Sequence, residues 1–165
     1  MYIKQKDIFW EMDRNFVKTV MKIAEPVSYE EGEPLFQEGD QAENFYILVK
    51  GRVKLILGQT GHVVYVVSNG GEAFGWSSLI GRATYSASAE SVIPTKLLKF
   101  EKQKLQKAIE EDPANGSIFY KRIAGILGNR LLQSYAMIAS ASSADVSTTF
   151  GTGQVIGNAA TGLEK

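Results

Sequence analysis

The chain contains no cysteine and a single histidine, His62. The first absence excludes disulfides, thiolate metal sites and cysteine nucleophiles, and leaves the redox compartment open. One histidine is too few for the ligand clusters of metal or haem sites, and at a predicted hairpin His62 reads as a surface residue. Neither sign of charge is in excess, with 18 basic and 18 acidic side chains. A bulk polyanion binder needs clustered Lys and Arg to neutralise phosphates, so direct DNA binding is not expected. No run approaches the ~18 apolar residues of a membrane span. The opening MYIKQKDIFWEMDRNF carries charges throughout and lacks the apolar centre of a signal peptide. The expected location is cytoplasmic, with no membrane partner.

What is present is an ordinary globular composition, 44% hydrophobic and 22% charged over 165 residues, enough for one domain with a core. Between Asp7 and Ala24, apolar residues at Phe9, Met12, Phe16, Val17, Val20, Met21 and Ile23 fit one or two short amphipathic helices, ended by Pro26. From Val27 the period changes. PVSY, PLFQ, FYILVK, RVKLIL and HVVYVV are separated by turn signals, and ASAESVI and TKLLKFE follow. Short β-branched and aromatic runs at roughly 8–12-residue spacing predict an antiparallel sandwich over about 26–101. GQTG, Gly58 to Gly61, predicts a hairpin turn in which glycine takes positive φ.

Helices return at Glu101. EKQKLQKAIEED places Leu105, Ala108 and Ile109 on one face. Asp112-Pro113 predicts a new helix with Asp as N-cap and Pro in its first turn. It extends to about Ile138, with Phe119, Ile123, Leu127, Leu131, Tyr135 and Ile138 forming an apolar seam. Gly125 and Gly128 lie beside that seam. Glycine inside a helix costs ~1 kcal/mol against Ala, so two imply close packing: either the seam packs on its own sandwich, or, the reading favoured, it pairs two copies in a homodimer through helix 113–138. The basic run Lys96, Lys99, Lys102, Lys104 and Lys107 is interleaved with Glu101, Glu110 and Glu111, and reads as a solvated face. The final stretch, 140–165, is small, polar and Gly-rich, and is expected to be a flexible tail after a domain spanning 1–139.

Three strings, GEPLFQEGDQAENFYILVKGRVKL, GGEAFG and YSASAESVIPTKLLKF, occur in this order between helices. Together they resemble the cyclic nucleotide-binding domain family, over roughly Phe9 to Ala139. The resemblance implies a mainly β fold, an antiparallel jelly roll with N-terminal helices and a long C-terminal helix. It also places a phosphate-binding cassette in EAFGWSSLIGRATYSAS, Glu72 to Ser88. In such cassettes a short helix begins at Phe-Gly, and its N–H groups face the ligand phosphate. A Glu after the Gly takes the ribose hydroxyl, and an Arg pairs with the phosphate. Here Phe74 and Gly75 match the Phe-Gly, but Trp76 stands at the Glu position and Tyr85 at the Arg position. Ser86 and Ala87 keep the residues that follow.

Loss of that Arg removes ~1.5–3 kcal/mol of charged hydrogen bonding. That weakens a micromolar binder by tens to thousands of fold once the Glu contact is lost as well. Arg82 lies three residues early, an offset that alters direction as well as reach. Trp76 either stacks on a planar ligand or packs under the loop, as aromatic residues more often do. Tyr85 either donates to an anion or caps a strand end. Ser77, Ser78 and Ser86 either supplement main-chain donors around a phosphate or cap the short helix. Ser134 lies where one branch of the family carries a Thr or Ser that reaches the base.

The leading expectation is a non-enzymatic regulatory module with a degenerate cassette, taking a small anionic ligand or a protein partner. It relays the change through the helix after Pro113. No cofactor is expected beyond a cyclic nucleotide or another small anion. The alternatives are a conventional cyclic AMP or cyclic GMP domain and a constitutive interaction domain whose pocket its own aromatics fill. The family's transcription factors continue into a DNA-binding domain, which the polar tail does not resemble.

Overall fold

The computed structural model describes residues 8–58, 61–141, 148–149 and 155–156. The β-branched and aromatic runs form six antiparallel strands: β1 Glu25–Tyr29, β2 Pro34–Phe36, β3 Asn44–Leu57, β4 His62–Val67, β5 Ala73–Phe74 and β6 Ser88–Glu101. Their order is β1-β6-β3-β4, with β2 also on β6 and β5 also on β3. The helices are α1 Arg14–Ile23, α2 Lys102–Glu111 and α3 Pro113–Ala141.

Two 14-residue strands replace four expected ones. FYILVK and RVKLIL are one strand through Gly51, and ASAESVI and TKLLKFE are one strand through Pro94. Gly51 bends the strand instead of ending it. Its φ is 116°, and the β3–β6 register slips three times between Leu48 and Val53. The buried Thr95 hydroxyl bridges the bend. It accepts the Arg52 N–H at 3.1 Å and donates to the Ile93 carbonyl at 2.6 Å. A bulge of this kind raises local twist and lets one strand serve both layers of a sandwich. The expected hairpin at GQTG has Gly58 at φ 69° and Gly61 at φ 72°, with Gly61 N–H donating to Gly58 O at 3.2 Å. Gln59 and Thr60 lie outside the described residues.

The first helix starts later than the apolar spacing suggests. Asp13 is its N-cap and accepts the Asn15 N–H at 2.7 Å, while Ile8 to Glu11 form a turn. A cap side chain that takes an orphan donor fixes where a helix begins. Asp112 acts similarly before α3, accepting the Asn115 N–H at 3.1 Å. The lysine-rich face is laced with pairs such as Lys99–Glu25 at 2.9 Å.

Two aromatic clusters make the core. Phe9, Phe45, Phe100 and Phe119 meet where helices cover the sheet, with ring centroids 6.0–6.4 Å apart. Phe36, Tyr46, Phe74 and Tyr85 fill the sandwich with Leu48, Val53 and Leu97.

The chain divides into two compact units, Met1–Ile123 and Ala124–Lys165. The first holds the whole six-stranded sheet. The second holds the rest of α3, where Leu131, Leu132, Tyr135, Met137 and Ile138 are exposed. It also holds two short strands, β7 Thr148–Thr149 and β8 Val155–Ile156, which pair antiparallel. The rest of the expected tail, beyond Ala141, lies outside the described residues.

Candidate functional site

The cassette is built outward from a tight turn. Glu72 accepts the N–H groups of Ser68 and Asn69, both at 2.8 Å, and the Tyr65 hydroxyl at 3.1 Å. Burial alone would push its carboxyl up, but the hydrogen bonds from Asn69, Ser68 and Tyr65 outweigh it and leave the pKa below the ordinary carboxylate value. Thus anchored, the chain pairs Ala73 and Phe74 with Ile47 and Tyr46 of β3. Phe74 is fully buried and stacks on Tyr46 at 5.3 Å.

Gly75 then turns the chain, with φ 76°. A Cβ there would lie 3.0 Å from the Tyr46 ring and 3.1 Å from the Asn44 carbonyl. Both the left-handed conformation and the close approach call for glycine. One 3-10 turn follows, Trp76–Ser78, closed by Leu79 N–H donating to Trp76 O at 2.8 Å. The serines divide in role. Ser78 is buried and donates to Gly75 O at 2.9 Å, capping its own turn. Ser77 is also buried, and its Oγ faces the Ser86 Oγ at 3.5 Å. That is the edge of hydrogen-bonding distance, so neither hydroxyl is committed to the other. Trp76 is half-buried. Arg82 and Ser86 are exposed, and Ala87 is half-buried as the chain enters β6.

Tyr85 is the decisive side chain. Its main chain is fixed by Tyr85 N–H to Asp40 O at 2.9 Å and by Gly39 N–H to Tyr85 O at 3.0 Å. Its ring is buried and stacks on Phe36 with centroids 3.8 Å apart and planes 15° from parallel. Its hydroxyl donates to Asn44 O at 2.8 Å and accepts Asn44 N–H at 3.0 Å. Burial pushes the phenol pKa up, and hydrogen bonds from Asn44 and Tyr46 offset this only in part. Tyr46 is pushed up much further, by burial first and then by Tyr85. Both phenols are therefore neutral at physiological pH, and this wall of the cassette offers no charge.

The structure brings Phe74, Gly75, Trp76, Ser77, Tyr85, Ser86 and Ala87 into one neighbourhood of the first unit, with Arg82 on the outward loop between them. Ser134 belongs to the second unit, where its hydroxyl donates to Arg130 O at 3.0 Å within α3. Sequence reasoning passed over Glu72 and Asn44, which hold the cassette at its two ends. The signal was faint: one polar residue opening the apolar run FYILVK, and one Glu after two glycines.

The model of the family described as "Cyclic nucleotide-binding domain" matches residues 26–112. The chain belongs to this family. A curated relative, the Cyclic AMP receptor protein of Thermus thermophilus, is 30% identical over 105 residues. These are 62% of this chain and 47% of the relative, so the chain spans about half the length of that protein. Among solved structures, a cyclic nucleotide-binding domain from Methylobacillus flagellatus KT superposes with TM-score 0.74 at 20% identity, covering 84% of this chain and 79% of that one. The Thermus thermophilus Catabolite Activator Protein superposes with TM-score 0.66 at 24% identity, covering 82% and 62%. These likenesses carry the fold. Cyclic nucleotide-binding domains are typically regulatory modules rather than catalysts. No helix among the described residues is long and apolar enough to cross a membrane.

Proposed function

We propose that this cyclic nucleotide-binding domain is a non-enzymatic regulatory module whose cassette receives a small anion through neutral donors. The Ser77–Ser86 hydroxyl pair carries the reading. Two hydroxyls 3.5 Å apart, one buried and one exposed, have donor capacity left for a third oxygen. The phenol of Tyr85 takes no part because Asn44 holds it. The ligand class is a small phosphate or carboxylate compound. Cyclic AMP and cyclic GMP bind weakly, because the charged contacts to phosphate and ribose have no side chain here to make them. No promoter contact is made by these residues, and the output passes to a protein partner.

A second reading rests on the Tyr85–Phe36 stack. With centroids 3.8 Å apart, it fills the interior from within, as a constitutive interaction domain would.

Calorimetry and Trp76 fluorescence separate the readings, with Trp10→Phe as the background so that one indole reports. Cyclic AMP, cyclic GMP and inorganic phosphate are titrated. The expected result is a fluorescence response with dissociation constants of roughly tens of micromolar or weaker, because ~1.5–3 kcal/mol of charged contact is missing. Ser77→Ala should weaken binding about fivefold more. Submicromolar cyclic AMP binding would return the protein to the conventional class. No response, and no rise in melting temperature with any of the three, would favour the self-filled domain.

A further inference from the structure

The outer face of the sheet carries an open groove of about 410 Å³, lined by Arg52, Lys54, Val63, Val66, Val92 and Ser68, whose N–H holds Glu72 at the start of the cassette. Lys54 stands between Val66 on β4 and Glu90 on β6 in the sheet register, and it pairs with Glu90 at 2.6 Å. Val63 and Val66 are 51% and 40% exposed. β4 is also the sheet's edge. Among the described residues its single neighbour is β3, so one row of N–H and C=O groups faces outward. Edge strands are ordinarily blunted by a charge or a proline. HVVYVV has neither; its protection is a register slip between Leu55 and Ile56.

We propose that this edge and groove form a docking site for an extended, acidic segment of a partner protein, added as a further strand beside β4. Main-chain pairing to the β4 edge supplies the anchor, as in other strand-addition complexes. Alternate side chains of the added strand lie over Val63 and Val66. The charge of the groove selects the partner. Lys54 is engaged by Glu90, and Arg52 makes no ion pair among the described residues, which leaves its guanidinium as the cation lining the groove. An added strand lies about 9.5 Å from β3, two strand spacings. A glutamate on that strand and the long Arg52 side chain together span this distance, whereas a lysine would meet like charge.

The test uses the full chain and two fluorescent heptapeptides, one alternating valine with glutamate and one alternating valine with lysine. Anisotropy should show saturable binding of the acidic peptide below 1 mM and at least tenfold weaker binding of the basic one. Arg52→Glu should cut acidic-peptide affinity at least fivefold, and Val66→Glu, which puts a like charge in the groove, at least tenfold. Lys22→Glu, an equal charge change on exposed α1, should change neither. Melting curves matching wild type keep a misfolded variant from counting. Equal affinity for the two peptides, no binding at 1 mM, or an unaffected Arg52→Glu variant would each overturn the proposal. So would a wild-type dimer in sedimentation that Val66→Glu converts to monomer, because the edge would then belong to a second copy. None of these readouts depends on the cassette.

Discussion

At the scale of single residues, the cassette is held by hydrogen bonds to main chain rather than by ion pairs. Glu72 gathers two N–H groups and a phenol, and Tyr85 satisfies both main-chain groups of Asn44. The Glu72 carboxyl titrates lower folded than unfolded. Its contribution is thus complete above the unfolded value of about 4.3 and fades as pH falls through the lower folded value. Glu72→Gln should lower stability at pH 7 by about 1 kcal/mol, a modest figure because the group is half exposed to screening solvent. That is roughly 3–5 °C in melting temperature. The gap between wild type and variant should close toward pH 3, as measured by thermal denaturation at both pH values. A gap that persists at pH 3 would mean that the charge is not what holds the turn. The resemblance placed the expected cassette at Glu72 to Ser88, with Trp76 and Tyr85 where the family carries charged residues. It did not show where Tyr85 points, because that depends on Phe36, 49 positions earlier, lying beneath it.

At the scale of elements, the apolar runs were legible but their continuity was not. A glycine between two strand-like runs is consistent with a turn or with a bulge, and only the partner strand decides. Gly51 on β3 faces Thr95 on β6. A Cβ on Gly51 would fall on Thr95 Oγ1 and lie within 2.6 Å of Thr95 Cα. Relief requires backbone movement, which a side-chain rotation cannot supply. Gly51→Ala should therefore cost roughly 3 kcal/mol or more, combining a strained φ with a main-chain clash. Gly32 is the matched control. Its φ is 78° and nothing lies within 4 Å of the added Cβ, so Gly32→Ala should cost about 1 kcal/mol. Urea unfolding of the two variants measures the difference, and equal costs would remove the bend at Gly51 as the reason the long strands stay joined. The long helix was the most legible element, because its Asp-Pro start and its apolar period are both local signals. β5 was the least legible, being two residues long, too short for a period to show.

At the scale of the whole molecule, the second unit leaves a stretch of α3 unexplained by its own fold. Leu131, Leu132, Tyr135, Met137 and Ile138 are 51–65% exposed. A Cβ on Gly125 or Gly128 would meet nothing within 4 Å, so neither glycine serves packing among the described residues. Each costs helix stability of about 1 kcal/mol against Ala. Pairing of two copies along this helix would account for both features, since it buries the apolar residues and lets backbones approach at the glycines. The prediction follows from the sign of two substitutions. Gly128→Ala should stabilise the isolated helix and yet weaken the dimer, because the added methyl would stand between the two helices. Leu131→Lys with Ile138→Lys should give a monomer whose melting transition is otherwise unchanged, since both side chains are exposed within one copy. Sedimentation equilibrium from 1 to 100 µM distinguishes the cases. If the wild type is monomeric throughout, or if Gly128→Ala tightens association, the two glycines do not serve a helix pair and the exposed apolar residues belong to a different partner.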